Sequence, residues 1–264
     1  MGFFHPFRNL RRKALAKEPF PEAWSAIMLR NVPYCLGLHA DERTRLEELI
    51  KVLIAEKNFE GCAGIEITDE IKVTIAAQAC LLLLNIRHNF YEGLVTILVY
   101  PQNFVFEREE RNETGLVTVT KQPVLGLCSS TGTVVVSWPD TLHGAQWPDD
   151  GRNVVLHEFA HQLDQLDGSM NGAPVLDSAF RYREWAQVLG AEYEHLKSEV
   201  ALGRPSLIGD YAATKPAEFF AVVTELFFER PFELQQQHPA LYGAFQQYYQ
   251  QDPAARVLER SAHR

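Results

Sequence analysis

The sequence predicts an α+β fold in which helices pack around a small mixed β-sheet. Three observations carry this: apolar residues at helical spacing in the first third, short β-branched segments in the middle, and helical periodicity again after Pro148-Asp149-Asp150-Gly151. No Gly/Ser/Pro-rich linker separates the three regions, so residues 1–264 read as a single domain.

The first segment, residues 1–17, is basic. Arg8, Arg11, Arg12, Lys13 and Lys17 give it +5 with no acid, so the formal charge of −9 for the whole chain leaves −14 on the remainder. No apolar stretch follows to make a secretory signal, and Pro6 stands where N-myristoylation needs Ser or Thr. The segment reads as a solvated, flexible N-terminal arm, with contact to an anionic partner as the alternative. The acidic balance, with an isoelectric point near 5.5, argues against direct nucleic-acid binding. Cys35, Cys62, Cys80 and Cys128 form no CxxC pair and read as reduced thiols of a cytoplasmic protein.

Next, Leu46, Leu49, Ile50, Leu53 and Ile54 mark a helix over Asp41–Glu56. Thr68-Asp69-Glu70 opens a second helix, with acids in its first turn, running into Ile75–Leu84. That apolar run is far shorter than the roughly 20 residues that cross a bilayer, so it predicts a buried helix and no membrane span. Leu94–Tyr100, Phe104–Phe106, Gly115–Thr120, Val124–Leu127 and Thr133–Trp138 are predicted strands, bounded by Pro, Gly or Asn. The last of these is expected to offer an edge to an extended peptide. Four helices are predicted to complete the chain: Asn153–Leu166, Ser178–Lys197, Pro216–Phe228 and about Glu233–Tyr249.

The first of those four helices contains His157-Glu158-Phe159-Ala160-His161, an H-E-x-x-H motif. Residues four apart lie one turn apart on one face, so His157 and His161 can grip one metal ion. Glu158 points round the helix, where it reaches a metal-bound water without becoming a ligand. Zinc suits such a set, because it takes imidazole nitrogens and keeps a fourth position open when three protein ligands bind. The alternative is an exposed helix that holds these residues by coincidence. Apolar Val154, Val155, Leu156, Phe159 and Ala160 argue against it, since buried His and Glu need a compensating partner.

Two carboxylates compete for the third ligand position. Asp167 follows His161 by six residues, but the helix-ending glycine that such a turn requires is absent at Asp164 and comes only at Gly168. Glu218 is preferred. It lies in the first turn of the Pro216 helix, with Thr214 as expected N-cap and small Ala221 one turn on, letting that helix approach the histidines. Tyr211 is either a packing residue or a phenol aimed into the cleft to stabilise an oxyanion. Glu225, seven residues beyond Glu218, is read as a carboxylate supporting a ligand or as a surface acid. His143 and Asp164 are weaker candidates for such support. No phosphate-binding loop and no G-x-S-x-G elbow is present.

Leu156–Gly168, Asp210–Glu218, Phe219–Pro231 and Tyr248–Pro253, with Glu92–Phe106 also fitting, resemble the Mlc titration factor A family of zinc metallopeptidases. The likeness spans most of the chain and is weakest in the basic arm. It implies a zincin-like fold of the gluzincin type, related to the catalytic domain of anthrax lethal factor. It implies one Zn2+ per chain held by His157, His161 and Glu218, with Glu158 as catalytic base and Tyr211 as the oxyanion-stabilising residue. The implied activity is aminopeptidase-like peptide hydrolysis in the cytoplasm. The implied partner is the glucose-transport repressor Mlc, and sequestering that repressor is the alternative principal role.

Overall fold

The computed structural model describes residues 6–102, 104–111, 117–124, 126–129 and 132–262. The chain begins with α1 (Pro6–Lys17) and α2 (Glu22–Asn31), followed by a short 3-10 helix, α3 (Ala40–Glu56), β1 (Asn58–Gly61) and α4 (Asp69–Leu81). The strands β2 (Thr96–Tyr100), β3 (Phe104–Arg111), β4 (Val117–Val124), β5 (Gly126–Ser129) and β6 (Thr133–Ser137) come next. Helices α5 (Trp138–Gln146), α6 (Val154–Asp164), α7 (Ala179–Ala201), α8 (Pro216–Glu229), α9 (Pro231–Gln237), α10 (Pro239–Tyr249) and α11 (Pro253–Ala262) complete the fold.

The expected mixed sheet is present, in the order β1-β2-β6-β5. β1, β2 and β6 run parallel, with Ile97 opposite Val134, and β5 runs antiparallel to β6, with Leu127 opposite Val135. β6 therefore lies inside the sheet, and the expectation that it offers a free edge is wrong. The edge beside α6 is β5, because β6 spends its hydrogen-bonding groups on β2 and β5. β3 and β4 form a separate antiparallel hairpin with Phe104 opposite Val124. Parts of two predicted strands, at 115–116 and 125, lie outside the described residues.

Two largely buried helices, α4 and α8, pack on α6 and anchor the site. On α4, Thr68 accepts a hydrogen bond from the Ile71 amide at 3.3 Å, and Val73, Ile75, Ala76, Ala77, Ala79 and Cys80 are all buried. On α8, Phe219 is buried against Tyr193, Phe220 against Trp185 and Phe245, and Phe227 against Tyr249. Each such ring contributes about 1.5–3 kcal/mol on leaving water, so the position of α8 is strongly fixed.

The N-terminal arm is not a flexible tail in its described part. From Pro6 it forms α1 and docks on α3: Arg12 donates from Nε and Nη2 to the two Glu56 oxygens, both at 2.7 Å. Arg8 Nη1 donates to Glu92 at 2.9 Å, and the Arg12 guanidinium lies 4.4 Å from the Phe90 ring centre. Two of the five cations thus turn inward, and paired charge-assisted bonds order a segment whose composition alone suggested fraying. Further along, the single predicted helix over Glu233–Tyr249 is two helices. Pro239 cannot continue the first, and α10 starts there. Among the described residues no helix is long and apolar enough to cross a membrane.

Candidate metal centre

The site forms where α6 meets α8. Asn153 caps α6, its Oδ1 accepting from the Leu156 amide at 3.0 Å. Val155, Leu156, Phe159, Ala160 and Leu163 are buried and lock the helix rotation. His157 and His161 then stack one turn apart, their ring centres 4.9 Å apart and nearly perpendicular at 82°. α8 begins at Pro216, with Lys215 at the N-cap position and no side-chain cap. Thr214, the expected cap, instead donates to the Tyr211 carbonyl at 2.7 Å and closes the preceding 3-10 turn. Ala217 and Ala221 are buried on α8, and their small side chains permit the close approach to α6.

Three donor atoms converge. Glu218 Oε2 lies 3.1 Å from His157 Nε2 and 3.3 Å from His161 Nε2, and the two Nε2 atoms are 3.2 Å apart. Bonds of about 2.0–2.1 Å at tetrahedral angles hold donors about 3.3 Å from one another, so this triangle has the dimensions of one face of a tetrahedral zinc site. His157 Nδ1 faces Glu225 Oε1 at 2.7 Å. A carboxylate only accepts, so Nδ1 carries the proton and Nε2 presents a lone pair to the triangle. Two imidazole nitrogens and a carboxylate at these distances fit a small cation.

The opposite charges of the cluster stabilise one another. Burial alone would raise Glu218, but the two imidazoles beside it hold its carboxyl well below the usual range. Burial alone would lower His157; the Glu225 and Glu218 carboxylates overturn this and raise it. Glu158 is only 4% exposed, and burial pushes its carboxyl up to about 7 against the pull of His157 and His161. Its Oε2 is buried without a hydrogen-bond partner, as is His161 Nδ1. An unpaired buried carboxylate oxygen costs free energy in a purely structural helix.

Tyr211 sits on the 3-10 turn just ahead of α8, its ring centre 6.1 Å from that of His157. It is 58% exposed, so it stands at the mouth of the site, and burial and the nearby Glu218 charge push its phenol upward. The rival ligand Asp167 is elsewhere. It accepts from the Ser169 amide at 2.8 Å in the turn that ends at Gly168, whose φ of 92° terminates the helical stretch. Asp164 accepts from the Gly172 amide at 2.8 Å and so holds the following loop. His143 lies 3.7 Å from Asp150 and is not among the clustered donors.

Sequence reasoning left Glu225 between two roles, and the structure puts it on His157. It missed the rest of that network. The second Glu225 oxygen accepts from the Asn153 backbone amide, and Asn153 Nδ2 donates to Glu229 Oε1 at 3.0 Å and to Gln78 at 2.9 Å. The available signal was the seven- and eleven-residue spacing of Glu225 and Glu229 from Glu218, which keeps all three near one side of α8.

The profile of the glucose-regulated metallo-peptidase M90 family matches residues 7–250. An uncharacterized protein of Synechocystis sp. is 40% identical over 254 residues, covering 96% of this chain and 92% of the relative. Proteins named Mlc titration factor A are similar as well. That of Edwardsiella ictaluri is 32% identical across 96% of this chain and 95% of its own. That of Enterobacter sp. (strain 638) is 31% identical across 88% of each. The match runs from α1 to the end of α10 and takes in both helices that carry the donor triangle, and metallopeptidases require a metal. The chain belongs to the Mlc titration factor A family, the M90 metallopeptidases.

Proposed function

We propose that this protein is a zinc-dependent peptidase of the gluzincin type, with His157, His161 and Glu218 holding one Zn2+. The observation that carries the reading is the donor triangle with edges of 3.1, 3.2 and 3.3 Å. Zinc there supplies a Lewis acid that polarises a peptide carbonyl and makes water acidic near neutral pH. Glu158 is the base: it is buried beside the histidines, stands outside the donor triangle and has an oxygen free of protein partners. It takes a proton from the attacking water and delivers it to the leaving amine. Tyr211 donates from the mouth of the site to the oxyanion that develops on the carbonyl. The substrate is an extended peptide, and the β5 backbone beside α6 offers it a strand edge. An aminopeptidase-like preference and a cytoplasmic location complete the proposal; the free thiols of Cys35, Cys62 and Cys80 fit a reducing compartment.

A second role, binding an Mlc-like repressor protein, is supported by relatives named for titrating Mlc. One variant separates the two. Glu158→Gln is expected to keep stoichiometric zinc by metal analysis, lose peptide hydrolysis by about 10²–10⁴-fold, and leave repressor binding intact. Metal-free wild-type protein, or hydrolysis indifferent to the substitution, overturns the peptidase reading.

A further inference from the structure

A surface helix ordinarily turns its large apolar side chains inward and its charges to water. Helix α1 departs from this. Arg8 and Arg12 point inward, both donating to Glu56, and Arg8 also donates to Glu92. Lys51 Nζ of α3 donates to the Ala16 carbonyl at 2.6 Å and to that of Glu18, so polar bonds hold the helix at both ends. Leu15 and Ala16 complete the inner side. Phe7, by contrast, is 85% exposed and Leu10 is 63% exposed. At 3.6 residues per turn, Phe7, Leu10 and Ala14 fall within about 60° of one another, away from Arg8 and Arg12. Arg11 borders this stripe on one side, and Lys13 and Lys17 border it on the other. These three cations are exposed, and among the described residues the ion pairs of α1 are made by Arg8 and Arg12.

We propose that this outer face of α1 is a peripheral membrane-binding surface for anionic phospholipid, with Phe7 and Leu10 inserted and Arg11, Lys13 and Lys17 among the headgroup phosphates. Charge complementarity selects the occupant. Residues 18–264 carry −14, so the body of the protein is repelled by an anionic surface, and the cations of α1 set the orientation of approach. A polyanion such as nucleic acid satisfies the cations and leaves the apolar stripe in water. A bilayer interface satisfies both, because apolar side chains sink below the headgroups while long Lys and Arg side chains reach back to the phosphates. The helix is already formed and docked on α3, so little ordering opposes binding. With two inserted side chains and three cations, the attachment is reversible and sensitive to salt.

Sedimentation of the full-length protein with lipid vesicles tests this. It should pellet with vesicles of equal parts phosphatidylcholine and phosphatidylglycerol, stay in solution with phosphatidylcholine alone, and be released from the mixed vesicles by added NaCl. Each cation near an anionic surface strengthens binding about fivefold, so combining Arg11→Gln, Lys13→Gln and Lys17→Gln should weaken partitioning about 10²-fold. Combining Phe7→Gln with Leu10→Gln should weaken it roughly tenfold. All five side chains are exposed, so Tm should match the parent in both variants. A parent protein that ignores the mixed vesicles overturns the proposal, and salt-sensitive retention on poly-glutamate would then assign the face to an acidic protein. Vesicle binding that either folded variant leaves unchanged also overturns it, because cations and apolar stripe must act together at a lipid interface.

Discussion

Glu225 Oε1 lies 2.7 Å from His157 Nδ1 and thereby fixes which imidazole nitrogen faces Glu218. The other Glu225 oxygen accepts from the Asn153 amide, so one carboxylate ties a donor of the triangle to the first turn of its own helix. In Glu225→Gln one of the two contacts must fail, since the amide group carries a single acceptor oxygen. Zinc affinity by chelator competition is expected to fall about 10–100-fold. Unchanged affinity would show that Glu225 does not orient the ligand.

The two carboxylates that compete in the sequence separate cleanly. Glu218→Ala is expected to abolish stoichiometric zinc, whereas Asp167→Ala, which loses only a bond to the Ser169 amide, should retain it. Metal analysis of the two purified variants decides, and the reverse result would install Asp167 as the ligand.

Tyr211 is more than half exposed, so removing its hydroxyl costs little packing. Tyr211→Phe should lower kcat by roughly 10²–10³ while KM, zinc content and Tm stay near their parent values. A large fall in Tm with modest change in kcat would instead mark Tyr211 as a packing residue.

How much of this was legible depended on whether a feature is local in the chain. The helices α3, α4, α6 and α8 follow from apolar spacing, and the His157–His161 pair follows from the pitch of one helix. Helix α5 was hidden because Trp138 reads as the end of a strand, although Ser137 caps a helix there by accepting from the Asp140 amide. β1 was missed because a four-residue edge strand, Asn58–Gly61, has no apolar run to reveal it. The docking of α1 depends on Arg12 meeting Glu56 across 44 residues, and no local pattern encodes that partner. The Asn153–Glu229 contact, spanning 76 residues, was illegible for the same reason, while Glu218 could be proposed because a proline-led helix start and small Ala221 marked its neighbourhood.

That docked α1 is pH-sensitive. Burial alone would raise Glu56, but Arg12 and Arg8 bring it from 4.5 down to about 2. A depressed carboxyl stabilises the fold fully above its unfolded value, so this contribution is intact above about 4.5 and is lost as pH falls towards 2. Hydrogen exchange of the α1 amides should accelerate over that window, beyond the intrinsic pH trend. Glu56→Gln should show fast exchange at neutral pH and no added acid-dependent step. A step of equal size in the variant would assign the transition to other carboxylates.

Glu229 titrates in the opposite sense. Burial pushes its carboxyl from 4.5 up to about 9, against the pull of the Asn153 hydrogen bond. Above about 4.5 the unfolded chain releases a proton that the folded chain retains, so stability declines as pH rises from there towards 9. Glu229→Gln keeps an oxygen for Asn153 Nδ2 and removes the titration. At pH 4 the parent side chain is protonated in both states and is nearly isosteric with Gln, so the two proteins should melt together. By pH 8 the variant should melt higher, and the gap should widen steadily between. Thermal unfolding curves that run parallel from pH 4 to 9 would mean that Glu229 ionises in the folded protein, with the Asn153 contact carrying a full negative charge.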